Sequence, residues 1–123
     1  MFLIVDNTEE GKVAFSFSLD NKFAQRIFET KDNRDVLFFI EKLLSTLKLN
    51  LQDIKSLGVV VGAGRFTASR LAVTTVNTLA FSLKVPVVAL PKNFDEVTAL
   101  ELIKSAVVGK YVVPTYSGEA RIG

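Results

Sequence analysis

The chain has 123 residues, 49% of them hydrophobic with ten Phe, a mean hydropathy of +0.33, and a net charge of +2 from 15 basic and 13 acidic side chains. That length suits one domain with one core, and so even a charge balance, with no block of like charge, argues against direct nucleic-acid binding. Cysteine and histidine are both absent, which excludes a disulfide framework, a thiolate nucleophile, the commonest general base and the commonest metal ligands, so no metal or cofactor is expected.

The opening "MFLIVDNTEE" lacks a basic segment and meets an acid at Asp6, unlike a signal peptide. The longest uncharged run, Leu71–Leu83, is shorter than the roughly 20 residues a bilayer span takes. A cytoplasmic protein without membrane contact is expected. Residues 2–6 form a short apolar run that predicts a buried strand. After the turn residues "DNTEEGK", residues 12–19 alternate, with Val13, Phe15, Phe17 and Leu19 on one face and Ala14, Ser16 and Ser18 on the other. That pattern predicts a half-buried strand paired with the first as a hairpin. "LDNK" is a second turn signal and residues 23–30 a third strand, so the chain opens as an antiparallel meander.

Asn33 or Asp35 can cap the next helix, over Asp35–Leu49. Val36, Leu37, Phe39, Ile40, Leu43, Leu44 and Leu47 cover an arc of about 160° on it, with Phe38 in the remaining polar arc between Ser45 and Lys42. A helix lying on one sheet needs a narrower stripe. "LNLQDIKS" is a connection, and residues 57–62 predict a strand running into the turn Gly62–Ala63–Gly64. A helix over Phe66–Leu83 and a strand over 85–90 complete a βαβ unit with parallel strands. Pro91–Asn93 breaks the chain. Phe94–Val108 reads as a third helix with Asp95 and Glu96 near its start, stopped by Gly109. The tail, residues 110–123, can add one edge strand, limited by Pro114.

The glycine turn admits two readings. Free N–H groups beside a helix N-terminus favour an anion over Gly62, Ala63 and Gly64. But "GAGRFT" lacks the ending of a P-loop and has Thr67 where a dinucleotide fingerprint needs its third glycine. The other reading is that Gly62 and Gly64 adopt backbone angles other residues resist, so that strand and helix meet sharply.

The helix after the turn is more telling. Ala72, Val73, Val76, Leu79, Ala80 and Leu83 share one face and pack on the sheet. Thr67, Arg70, Leu71, Thr74, Thr75, Thr78, Phe81 and Ser82 share the other, and between Arg70 and Lys84 no residue is charged. A solvated helix face normally carries Lys and Glu, so this one is expected to meet another molecule. Asp6 ends its strand beside Thr8, where it caps a turn or holds a metal- or phosphate-linked group. Glu9, Glu10 and Glu119 have no catalytic constellation around them and read as solvated loop charges.

With meander, helix, βαβ unit and turn together, the chain resembles the TsaB (YeaZ) family. Members carry a strand ending in "GPGSFTGLR", a long small-residue helix and a strand like "xxIPLVGV". Here "GAGRFTASR" over residues 62–70 and "LKVPVVAL" over 83–90 stand in those places, sharing Gly62, Gly64, Phe66, Thr67 and Arg70, and "IVDNT" is similar to the family's first strand. Ala63, Arg65, Ala68 and Ser69 depart from the pattern. Family members have two actin-like domains and are nearly twice as long, while "VVPTYSGEARIG" is similar to their C-terminal tail, so most of a second domain is expected to be missing.

The resemblance implies an α/β fold: a single RNase H-like domain, one half of an actin-like ATPase, with a five-stranded mixed sheet over residues 1–123. It implies a non-catalytic scaffold that binds TsaD, with TsaE as a further partner, in the synthesis of N6-threonylcarbamoyladenosine in tRNA, without contacting tRNA directly. The family's contact is a helix bundle. Carried to this chain, it places Val36, Phe39, Ile40 and Leu43 of the first helix and Thr67, Arg70, Leu71, Thr74, Thr75 and Thr78 of the second against TsaD or against a second copy. A small nucleotide- or phosphate-binding enzyme using Asp6 and the glycine turn, and a free-standing homodimer, are the alternatives.

Overall fold

The structure, a computed structural model, describes residues 1–20, 22–31, 35–62 and 66–113, the side chains of 66–69 excepted. Its elements in chain order are β1 (Phe2–Asp6), β2 (Lys12–Leu19), β3 (Lys22–Glu29), α1 (Val36–Thr46), a 3-10 turn (Leu51–Asp53), β4 (Ser56–Val60), α2 (Phe66–Leu83), β5 (Val87–Leu90) and α3 (Glu96–Ser105). One five-stranded mixed sheet runs in the order β3-β2-β1-β4-β5. β1 pairs antiparallel with β2 and parallel with β4, and β4 pairs parallel with β5.

The alternation in β2 decides which face is which. Val5 lies opposite Phe15 and Val59, and Leu3 opposite Phe17 and Leu57, so these side chains share one face. That face carries the larger core, closed by Val36, Phe39, Ile40 and Leu43 of α1 and Ala72, Val73, Val76 and Ala80 of α2. The opposite face carries a smaller cluster of Phe2, Ile4, Val60 and Leu90, covered by Ala99 and Ile103 of α3. Two helices on one face and one on the other follow from β1 and β4, whose residues are apolar on both sides and need cover twice.

Caps set the helix starts. The Asp35 side chain accepts from the Phe38 N–H, and Asp95 accepts from the Thr98 N–H at 2.8 Å. Asn33 lies outside the described residues. Two expected ends are corrected. α1 stops at Thr46 rather than Leu49, with Lys48 in a left-handed conformation at φ +61. α3 stops at Ser105 rather than Val108, because Ala106 is already extended. The connection "LNLQDIKS" contains a 3-10 turn capped by Asn50, whose N–H is answered by the Asp53 carboxylate. Residues 110–113 form no strand, and the rest of the tail, where an added edge strand is expected, lies outside the described residues.

Candidate functional site

α1 and α2 lie side by side on one face of the sheet. On α2 the inward residues Ala72, Val73, Val76 and Ala80 are buried, and Arg70, Thr74, Thr78, Phe81 and Ser82 are exposed. Leu71 and Thr75 are half-buried. The outer ridge is thus small hydroxyls around one bare aromatic: Phe81 is 69% exposed. The Thr78 hydroxyl donates to the Thr74 carbonyl at 2.8 Å, so it is satisfied within its own helix and presents a methyl group and a quiet surface. The Thr67 side chain lies outside the described residues.

On α1 the expectation needs correcting. Val36, Phe39, Ile40 and Leu43 are buried in the core at 1%, 8%, 0% and 0% exposure. Their spacing of three and four residues puts them on one face, and sheet and α2 together bury that face. In this chain they present almost no surface to a partner. The residues α1 presents outward are Leu37 and Phe38, at 41% and 51% exposure, followed by Glu41, Lys42 and Ser45. Phe38 stands edge-on to Phe39 with ring centroids 5.1 Å apart, and the Lys42 ammonium lies 5.6 Å from the centre of the Phe28 ring. The 160° stripe was therefore wide for two reasons: the core takes most of it, and Leu37 at its edge stays outside.

At the carboxyl end of β1 the geometry is polar. Asp6 Oδ1 accepts from the Thr8 N–H at 3.0 Å and from the Thr8 hydroxyl, which makes it the turn cap expected of it. Its other oxygen holds Lys92, which also reaches Glu9 Oε2 at 2.7 Å, while Lys12 reaches Glu9 Oε1 at 3.1 Å. The hydrogen bond from Lys92, then that from Lys12, holds the Glu9 carboxyl below its ordinary range. Burial opposes the charge on Lys92, but its hydrogen bonds to Asp6 and Glu9 outweigh this and raise its pKa. Nothing in the local sequence announces Lys92, because its partners lie more than eighty positions away.

Beside this bridge an open cleft of about 560 Å3 is lined by Asp6, Ser16, Phe23, Gln25, Lys92, Phe94, Asp95 and Glu96, among others. Carboxylates outnumber its single ammonium, which is already engaged, so the cleft is a poor host for phosphate. Among the described residues no group of three His, Cys, Asp or Glu could hold a metal ion. Of the glycine turn, Gly62 adopts φ +80, a conformation that favours glycine, with no described residue within 4 Å of where a Cβ would stand. Ala63 and Gly64 lie outside the described residues. No helix among the described residues is long and apolar enough to cross a membrane.

Three antiparallel strands followed by two parallel additions, in the order 3-2-1-4-5 with helices on both faces, define an RNase H-like α/β domain. A family model described as TsaD, tRNA N6-adenosine threonylcarbamoyltransferase, matches residues 28–93, more than half of the chain. The chain belongs to that family. YeaZ from Pseudomonas aeruginosa superimposes with a TM-score of 0.65 at 22% identity, covering 73% of this chain and 44% of its own. A second solved structure, of an uncharacterized protein with similarity to peptidase YEAZ from Pseudomonas aeruginosa, gives 0.62 at 22% identity and covers 73% and 42%. The fold implied by the TsaB (YeaZ) resemblance is thus the fold found, and the chain spans less than half the length of these two structures. None of the curated proteins matches it.

Proposed function

We propose that the chain is a non-catalytic partner of a TsaD-like protein in the making of N6-threonylcarbamoyladenosine in tRNA, docking through the outer ridge of α2. The observation that carries this reading is the ridge itself: Thr74, Thr78, Phe81 and Ser82 are exposed with no charge between Arg70 and Lys84. Leu37 and Phe38 add exposed apolar surface on the neighbouring helix. An uncharged helix face loses little on desolvation, and small residues let a partner helix come close. Family membership supports the pathway, and the YeaZ fold supports the kind of scaffold. Enzymatic chemistry in the cleft is disfavoured by Lys92 being held between two carboxylates.

The test is capture of a co-expressed TsaD-like protein by the chain and by Thr74→Glu. A glutamate there must be buried unpaired in the contact, at several kcal/mol, whereas the free chain changes by no more than about 0.5 kcal/mol. Capture by the parent and loss of capture by the variant, with unchanged melting, is the expected result. Equal capture by both would overturn the ridge. The same ridge lacks the charges that would keep two copies apart, so sedimentation of the chain alone, with and without Thr74→Glu, tests the homodimer.

A further inference from the structure

After α3 the chain crosses from that helix's layer to the layer of α2. Among residues 106–113 only Val112 is buried, and it joins the core beneath α1 and α2. Val107, Val108, Tyr111 and Val113 stand exposed at 57%, 51%, 41% and 78%. What meets Val112 is the side chain of Asn77, on the flank of α2. Asn77 Nδ2 donates to the Val112 carbonyl at 2.8 Å, and the Val112 N–H donates to Asn77 Oδ1 at 3.0 Å. One primary amide therefore supplies donor and acceptor to a single backbone residue, as a neighbouring strand would. The Tyr111 ring lies 6.4 Å from that of Phe81, one helical turn further along the same flank.

We infer that residues 106–113 form a detachable strap, latched to α2 by Asn77, whose release uncovers the flank of α2 that carries Asn77 and the seat of Val112 beside the already exposed Phe81. Among the described residues the attachment is small: one buried apolar side chain, one pair of hydrogen bonds and one aromatic contact. Segments held by so few contacts open well below the free energy of global unfolding. Latched, the strap lays Tyr111 beside Phe81 and narrows the outer surface of α2. Released, it leaves α2 with a wider apolar flank. The inference stands without the partner reading, because the two states belong to the chain alone.

Both bonds at this reach need one donor and one acceptor on the same short side chain. A carboxylate accepts from the Val112 N–H but repels the carbonyl, whereas a protonated carboxyl again offers one donor and one acceptor. Amide hydrogen exchange on the full chain, resolved at Val112 and at the β1 residues Leu3–Val5, therefore tests the latch. In the parent, Val112 should be protected yet exchange faster than the β1 amides. In Asn77→Ala its protection should fall about tenfold, the worth of a lost hydrogen bond, with the β1 amides unchanged. Asn77→Asp should show the same loss at neutral pH and recover protection as the pH falls through the pKa of the new carboxyl. Exchange of Val112 in the parent at the β1 rate would overturn the inference, since the strap would then be an integral part of the core. So would unchanged protection of Val112 in both variants, or a loss shared equally by the β1 amides.

Discussion

Lys92 Nζ lies 2.8 Å from Asp6 Oδ2, tying the loop after β5 to the end of β1. Strands β1 and β5 are not neighbours, since β4 separates them, so this contact spans the sheet at its carboxyl edge. It also closes one wall of the open cleft. The ammonium that a phosphate would need is taken by Asp6 and Glu9.

Replacing Lys92 by Met should cost less than about 1 kcal/mol, because the pair is partly exposed and screened. The Glu9 carboxyl is held low first by Lys92 and then by Lys12. A depressed carboxyl pKa contributes stability above its unfolded value and loses it as the pH falls through the folded value. Lys92 is shifted upward, so its own contribution persists until strongly alkaline pH. Thermal melting of parent and Lys92→Met should therefore differ by a constant amount between about pH 6 and 8 and converge below about pH 4. A difference that grows on acidification would contradict the bridge.

The two sides of α1 should respond oppositely to substitution. Ile40 is fully buried, and Ile40→Ala should cost about 2–5 kcal/mol in chemical denaturation, from lost transfer energy and the cavity left behind. Phe38→Ala removes an exposed ring that stands edge-on to Phe39. It should cost only about 1 kcal/mol while weakening capture of a TsaD-like protein, if the docking face extends from α2 to α1. Loss of capture by Ile40→Ala in a chain that still folds normally would contradict this assignment.

Gly58 is set by space rather than by backbone angle. A methyl group there would meet Leu90 Cδ1 at 3.1 Å, Ile4 Cγ1 at 3.2 Å and Phe2 Cε1 at 3.4 Å. All three belong to the small cluster under α3. Gly58→Ala should destabilise by about 1–3 kcal/mol through overpacking, and its urea midpoint should fall with an unchanged slope.

Gly62 is the converse case. Among the described residues nothing lies within 4 Å of a Cβ built there, but its φ is +80. Gly62→Ala should cost about 1–2 kcal/mol from left-handed strain alone. A thermal melt within error of the parent would show that the turn readjusts freely.

Much of the architecture was legible in the chain's own pattern. The alternation of Val13, Phe15 and Phe17, the turn residues after Asp6, and the apolar strand entering Gly62 placed all five strands to within a few positions, because period and turn chemistry are local properties. The same alternation told which residues share a face, but not the register, since a slip of two residues keeps Val5, Phe15 and Val59 on one side; the pairing itself came from the fold. The uncharged ridge of α2 was equally visible, as an absence of Lys and Glu over thirteen positions. Tertiary structure alone decided the rest. Whether Val36 and Ile40 or Leu37 and Phe38 face outward depends on how far the sheet and α2 wrap around α1, and a helical stripe records only direction. The same holds for Lys92 with Asp6, and for Asn77 with Val112. Each pairing joins residues distant in sequence, and a lone lysine or asparagine carries no local mark of the partner that folding brings within hydrogen-bonding reach.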